Sequence, residues 1–127
     1  MTHVPQGELA IQTLAMPSDT NPNGDIFGGW VVSQMDLAAG ILAKQHSKGR
    51  AVTVAIDSMS FLLPVHMGDV VSCYVRLEHQ GTTSMTIKVE VWTHVVEIGL
   101  QSQVTEGTFT FVAINEQGKP RQIKAGL

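Results

Sequence analysis

One helix-forming segment followed by four strand-forming segments restricts the fold more than any other feature of the chain. The segment from about Gly29 to Gln45 is rich in good helix formers, includes no proline, and is apolar around most of the helical circumference. We therefore expect a helix that is buried on nearly all sides. Because one helix cannot cover both faces of a large sheet, the sheet must curl around the helix.

The strands are predicted from β-branched residues and from apolar and polar side chains that alternate with period two. One strand is expected before the helix at 8–15, and four after it at 51–63, 70–79, 85–95 and 103–114. Short turns between the last four strands predict an antiparallel meander, and the residues after a turn at 115–118 are expected to form a loose tail. The predicted fold class is α+β, with a curled antiparallel sheet of about five strands wrapped around one long central helix.

The loop before the helix is the most irregular part of the chain. Its sequence, MPSDTNPNGDIFGG, is rich in residues that accept turn geometries and positive φ angles. The connection is long for a compact domain, and long ordered loops often carry functional residues.

The composition bounds the domain organisation and the partners. A chain of 127 residues suits one domain, expected over residues 1–127 with an ordered core at about 8–121. Charged residues make up only 15% of the chain, which fits a well-packed core and, more strongly, a surface partly covered by another subunit. The net charge of −3 offers no basic face, so nucleic-acid binding is not expected.

The sequence also favours a cytoplasmic location. Cys73 is the single cysteine, which excludes an intramolecular disulfide and fits a reducing compartment. The N-terminal residues lack a basic region followed by an apolar core, so no signal peptide is expected. The least polar stretch, 26–43, includes Asp36 and several glycines, which argues against a membrane span.

Asp36 is the residue whose position most strongly suggests chemistry. It is the only charged residue between Ile26 and Ala43, inside the most apolar helix. An ionised carboxylate in an apolar site is costly without partners, so its presence needs a reason. The residues that share its helical stripe are mostly small and leave space for a substrate or a water. The alternative is a structural aspartate that bonds a backbone amide and fixes a strand.

The entrance to the helix is a second candidate. Free amides at a helix N-terminus suit an oxyanion, and Gly28 and Gly29 would let a ligand approach the backbone closely. The alternative is that both glycines only allow a sharp turn into the helix. The asparagines and aspartates of the preceding loop are ordinary turn residues, although one of them could project into a site.

Other chemistries fit the sequence poorly. Five histidines are scattered without metal-ligand spacing, and no phosphate loop or dinucleotide fingerprint is present. Cys73 lies among apolar neighbours and is expected in the core, while Ser33 has no helix-borne histidine to form a triad. Lys44, Lys48 and Arg50 form a solvated helix end or, alternatively, contact the phosphates of an anionic ligand.

Two segments resemble a known family: MPSDTNPNGDIFGGWVVSQMDLAAGILA and GRAVTVAIDSMSFLLPVHMGDVVSCY. They are similar to the acyl-CoA hydrolase branch of the hotdog thioesterases, and especially to the small bacterial YciA-type acyl-CoA thioesterases. The resemblance extends from about Leu14 to Arg121. It implies a hotdog fold, a dimer whose two sheets join edge to edge, and usually a trimer of such dimers.

The resemblance also implies hydrolysis of acyl-CoA to a free carboxylic acid and CoA, without a metal or an organic cofactor. The helical carboxylate of the family, in its Gln-Met-Asp context, falls on Asp36. The loop asparagine, in its Asp-Thr-Asn context, falls on Asn21, and the glycine pair at the helix start falls on Gly28 and Gly29.

The expected mechanism combines these positions. The thioester carbonyl would point at the Gly29 amide, near the positive end of the helix. Asp36 would act as general base toward a water or attack the carbonyl itself, and Asn21 would orient the water or the carbonyl. The residues expected to contact the substrate are Gly28, Phe27, Ser58, Phe61 and Arg50.

Two other functions remain open on the sequence alone. A hotdog hydratase or dehydratase would use an active-site histidine, which has no counterpart on or before this helix. A non-catalytic acyl-CoA-binding sensor would keep the pocket without needing Asp36.

Overall fold

A computed structural model describes residues 4–123 of the chain. The chain forms β1 (Glu8–Leu14), a 3-10 turn (Pro17–Asp19), α1 (Gly28–Ser47), β2 (Ala51–Phe61), β3 (Val70–Gln80), β4 (Ser84–Val95) and β5 (Leu100–Ala113). Every predicted helix and strand is present, with ends shifted by up to three residues. None of the helices within residues 4–123 combines the length and sustained hydropathy that a bilayer-spanning helix requires.

The five strands form one antiparallel sheet in the order β1-β3-β4-β5-β2, with β1 and β2 at its edges. The sheet is open, and α1 packs against one face and contacts all five strands. This arrangement confirms the predicted hotdog architecture of one long helix held by a single antiparallel sheet.

The predicted meander is confirmed for β3, β4 and β5 but wrong for β2, which pairs with β5 instead of β3. The connecting segment 62–69 crosses the end of the sheet. Eight residues can reach about 26 Å, more than the three strand spacings of about 4.8 Å that separate β2 from β3. The Leu62 amide donates to the Val104 carbonyl, and the Ile26 amide donates to the Val65 carbonyl. The crossing segment is therefore bonded to β5 and to the loop before α1.

The core lies between α1 and the sheet, where Met35 meets strand residues such as Ile87 and Phe109. The prediction of a helix buried on nearly all sides is wrong for the single chain, because Leu37 is 58% exposed and Ile41 is 40% exposed. An open five-stranded sheet covers only one side of a helix. The apolar residues on the other side are therefore available to another molecule.

The end of α1 is formed by a lysine in the left-handed conformation. Lys48 adopts the left-handed conformation (φ 56°, ψ 43°), and its amide donates to the Lys44 carbonyl. Gly49, of the residue type that most often ends a helix, follows at the next position. A Cβ on Gly49 would lie 2.6 Å from Nη2 of Arg121, so this glycine makes room for that side chain.

The prediction of a loose tail after residue 118 is wrong for residues 119–123. The Arg121 guanidinium donates to the carbonyls of Ser47 and Ile114, which ties this segment to the end of α1. The Ile123 amide donates to the Thr82 carbonyl, and the Ile123 side chain is buried in the core. Residues 119–123 show no apolar periodicity, so the sequence pattern did not predict that they pack against the rest of the chain.

Candidate active site

A cleft of about 340 Å³ opens between the loop before α1, the first turn of α1 and the crossing segment 62–69. Its wall is mostly apolar, with three polar side chains and one glycine: Ile26, Val31, Phe61, Leu62, Leu63, Pro64, Val65, Asn21, Asp25, Thr105 and Gly28. Three of the residues predicted to form the site, Asn21, Gly28 and Phe61, therefore meet in one place.

The start of α1 presents unpaired backbone amides. Phe27 is the N-cap residue, its side chain makes no capping hydrogen bond, and the first turn has no acidic residue. The Gly28 and Gly29 amides cannot bond within the helix, and no other group in residues 4–123 accepts from them. A Cβ on Gly29 would meet nothing within 4 Å, so this positive helix end is open to an anionic ligand.

Asn21 is held by its own loop. Its Oδ1 accepts hydrogen bonds from the Asn23 amide at 2.9 Å and the Asp25 amide at 3.1 Å. These two bonds orient the side chain and use its oxygen, so the NH₂ group is left to donate to a ligand. Within residues 4–123 this NH₂ group has no acceptor.

Asp36 lies in the middle of α1 and is half-buried. The hydroxyl of Thr53, on β2, donates to its Oδ1 at 2.6 Å, whereas Oδ2 accepts no hydrogen bond from residues 4–123. One oxygen is thus held and the other is free to take a proton from a water. Sequence reasoning missed Thr53, because a threonine on a strand is ordinary until the strand is known to face the carboxylate.

Asp36 does not line the cleft of its own chain. It lies eight positions after Gly28, or about 12 Å further along the helix axis. The structure of one chain therefore holds two separate groups, the cleft with Asn21 and the Asp36–Thr53 pair.

The other residues expected to contact substrate are spread more widely. Phe27 is half exposed beside the cleft, and Ser58 lies in a bulge of β2 with a φ of 52°. The Phe61 ring packs near Gly28, because a Cβ on Gly28 would lie 3.6 Å from it. Arg50 lies at the opposite end of α1, exposed, and does not line the cleft.

Other reactive groups lie apart from these two clusters. Cys73 is buried in the core as predicted, and burial raises the pKa of its thiol to about 12. The Ser33 hydroxyl donates to the Trp30 carbonyl at 2.7 Å. In the described part of the chain, no three side chains of His, Cys, Asp or Glu are grouped so that they could hold a metal ion.

Comparison with known proteins shows which family the chain belongs to. A family model described as thioesterase superfamily matches residues 23–97. The acyl-CoA thioester hydrolase YciA of Escherichia coli K12 is 54% identical over 126 residues, 96% of each chain. The hexameric thioesterase of Yersinia pestis superposes with a TM-score of 0.94 at 53% identity, over 97% of this chain and 100% of that one.

A more distant structure extends the comparison. The acyl-CoA hydrolase of Staphylococcus aureus, solved in complex with butyryl-CoA and CoA, superposes with a TM-score of 0.84 at 30% identity, over 89% of this chain and 69% of that one. The same enzyme has been solved as an aspartate-to-alanine and an asparagine-to-alanine variant. Since the family model covers more than half of the sequence and close relatives match it nearly end to end, the chain belongs to the thioesterase superfamily.

Proposed function

We propose that the protein is an acyl-CoA thioesterase, which hydrolyses the thioester bond of acyl-CoA to a free carboxylic acid and CoA. The observation that carries this proposal is a helix whose N-terminal amides are open to a ligand and whose middle bears a carboxylate with one free oxygen. The names of its relatives, acyl-CoA thioester hydrolase and acyl-CoA hydrolase, support acyl-CoA as the substrate.

In the proposed reaction the apolar cleft receives the acyl group and the thioester carbonyl lies at the Gly29 amide. Asp36 removes a proton from a water, and the oxygen of that water attacks the carbonyl carbon. The amide and the positive helix end stabilise the negative charge that develops on the carbonyl oxygen. The intermediate then collapses, the carbon–sulfur bond breaks, and the CoA thiolate leaves and takes up the proton that Asp36 had removed from the water.

Two side chains position the reacting groups. The Asn21 NH₂ group donates to the carbonyl or to the attacking water, because its oxygen is already used by the loop. Thr53 holds Asp36 through one carboxylate oxygen. Phe27, Phe61, Ser58 and Gly28 contact the substrate in this proposal. The proposed reaction needs no metal and no organic cofactor. We also propose that the enzyme acts in the cytoplasm.

We infer that the enzyme works as a homo-oligomer of paired hotdog units, assembled as a trimer of dimers. Val52, Val54 and Ile56 are exposed along the edge strand β2, and Leu37 is exposed on α1, so one chain leaves apolar surface for another to cover. Similar thioesterases are described as hexameric. Sedimentation equilibrium is expected to give a multiple of 13.7 kDa, and a 13.7 kDa species at micromolar concentration would contradict this.

The proposed dimer also gives a reason why the cleft with Asn21 and the Asp36–Thr53 pair lie apart in one chain. In the proposed dimer, the cleft with Asn21 and the Gly29 amide meets Asp36 of the other subunit, so each active site takes residues from both chains. Arg50 lies at the far end of α1 from its own cleft, and in this proposal it contacts the phosphates of a substrate bound by another copy.

The deciding experiment measures free thiol release from a panel of acyl-CoAs by the purified protein. Thiol release supports the thioesterase. Binding of acyl-CoA without thiol release would identify a sensor. Hydration or dehydration of the acyl chain with the thioester intact would identify a hydratase or dehydratase.

A further inference from the structure

Thr105 belongs to the wall of the cleft and carries an unpaired hydroxyl. The residue is 1% exposed, and its Oγ1 is the one buried side-chain oxygen or nitrogen in residues 4–123 that has no hydrogen-bond partner. Buried polar groups are nearly always paired in folded proteins, so an exception is a candidate contact for a water or a ligand. Its position in the cleft points to a ligand.

The register of β5 fixes the direction of this side chain. A Cβ on Gly107, two residues further along, would lie 3.4 Å from the methyl carbon of Met35 on α1. Since alternate residues of a strand share a face, Thr105 also faces α1. Its side chain therefore lies on the sheet face that packs under α1, and Val31 and Gly28 of α1 line the same cleft.

The surroundings of Thr105 decide which ligand would satisfy it. The neighbouring wall is apolar and includes Val31, Phe61 and Val65. An unsubstituted acyl chain that fills this space would exclude water and leave the hydroxyl unpaired. An acyl group with a hydroxyl or oxo substituent would pair with it, and sites that bond a substrate oxygen discriminate against analogues that lack it.

Building on the proposed thioesterase function, we propose that Thr105 is a specificity-determining residue that binds an oxygen substituent of the acyl group. The cleft then favours hydroxyacyl- or oxoacyl-CoA over unsubstituted acyl-CoA of the same length. Thr105 was not singled out by the sequence, although a threonine on a strand face shared with Gly107, Phe109 and Phe111 is a departure from an apolar pattern.

The test compares kcat/KM for butyryl-CoA and for the three positional isomers of hydroxybutyryl-CoA. Wild-type enzyme is expected to prefer at least one isomer over butyryl-CoA. Thr105→Val has nearly the same shape without the hydroxyl, and it should lower this preference about 5- to 100-fold while butyryl-CoA turnover holds or rises. Thr105→Ser should keep the preference. Thr108→Val is the matched control on the opposite face of β5 and should change nothing.

Three outcomes would overturn the inference. Wild-type enzyme could prefer butyryl-CoA over every isomer, Thr105→Val could leave the preference intact, or it could slow all four substrates equally. Thr105→Ala removes the same hydroxyl and replaces the valine variant if that variant does not fold. Absence of thiol release from every acyl-CoA would instead contradict the proposed function, whereas an unchanged preference in an active enzyme contradicts only the role of Thr105.

Discussion

Asp36 combines one constrained and one free carboxylate oxygen, a combination suited to a base that must keep its orientation. Asp36→Asn preserves the size of the side chain and an acceptor for Thr53 but cannot take a proton. We expect turnover to fall about 10²- to 10⁴-fold, with little change in melting temperature because the site is only half-buried. Thiol release and thermal unfolding measure the two effects.

Asp57→Asn is the matched control for this variant. Asp57 is exposed on β2 and lies outside the cleft, so its substitution should leave turnover unchanged. If Asp36→Asn retained most of its activity, Asp36 would be structural and the proposed mechanism would be wrong.

Cys73 makes the free energy of unfolding depend on pH in the alkaline range. Burial raises the pKa of its thiol from 9.0 to about 12, so the folded chain holds the proton more tightly than the unfolded chain. Below about pH 9 both states are protonated and this group has no effect. From about pH 9 toward 12 the unfolded chain alone loses the proton, and the free energy of unfolding falls.

Urea unfolding of wild type and Cys73→Ala checks this expectation. The alanine variant is less stable at neutral pH because it leaves a small cavity. Its deficit should shrink as pH rises above about 9, because only the wild type loses stability through the thiol. A deficit that stays constant across this range would contradict the assignment.

Residues that break a local pattern were the ones that sequence reasoning could find. Asp36 stands out as a charge in an apolar helix, and Gly28 and Gly29 stand out as a pair at a helix start; their catalytic roles stay predictions. Thr53 gave no such signal, and Thr105 gave only a slight one, as a polar residue on an otherwise apolar strand face. Their importance depends on which strand faces meet the helix, and that is set by pairing between distant segments.

At the level of elements, the end of α1 includes an unfavourable backbone conformation that a substitution could relieve. Lys48 is left-handed, a conformation that costs a residue with a Cβ about 1 kcal/mol and glycine almost nothing. We expect Lys48→Gly to raise the free energy of unfolding by about 0.5–1 kcal/mol. Denaturant unfolding at fixed protein concentration measures the change.

Lys44→Gly is the control for that variant. It also removes an exposed lysine near the helix end, but from a helical position, and should lower the free energy of unfolding by about 1 kcal/mol. Equal effects of the two substitutions would show that charge, and not backbone conformation, governs this end of the helix.

Helices and strands were predictable as elements because periodicity is a local property. Their arrangement was less so. The pattern of β2 looks like the first strand of a meander, yet its partner is β5, because segment 62–69 bonds to Val104 and to the loop before α1 instead of turning back. Likewise, Arg121 attaches the C-terminal segment through contacts with Ser47, which lies far away in sequence.

At the level of the whole molecule, the two clusters predict complementation between inactive chains. We expect Asn21→Ala and Asp36→Ala to be inactive alone. When they are refolded together, about half of the dimers should be mixed, and each mixed dimer regains one of its two sites. About a quarter of wild-type activity should therefore return, measured as thiol release.

Mass spectrometry under native conditions provides the control by counting mixed dimers. If both residues of a site came from one chain, every chain would carry a lesion in its own site. A mixture that contains mixed dimers but stays inactive would thus exclude a shared site.

Because β2 pairs with β5, a nascent chain on the ribosome carries β2 without its partner until nearly all residues are synthesised. During that interval α1 and β2 have emerged, while the strand that supplies Phe109 and Phe111 to the core has not. Such incomplete chains expose apolar surface and are prone to aggregation. We expect chains arrested after β4 to be digested rapidly by protease, whereas arrested chains as resistant as the full protein would mean that α1 docks without β5.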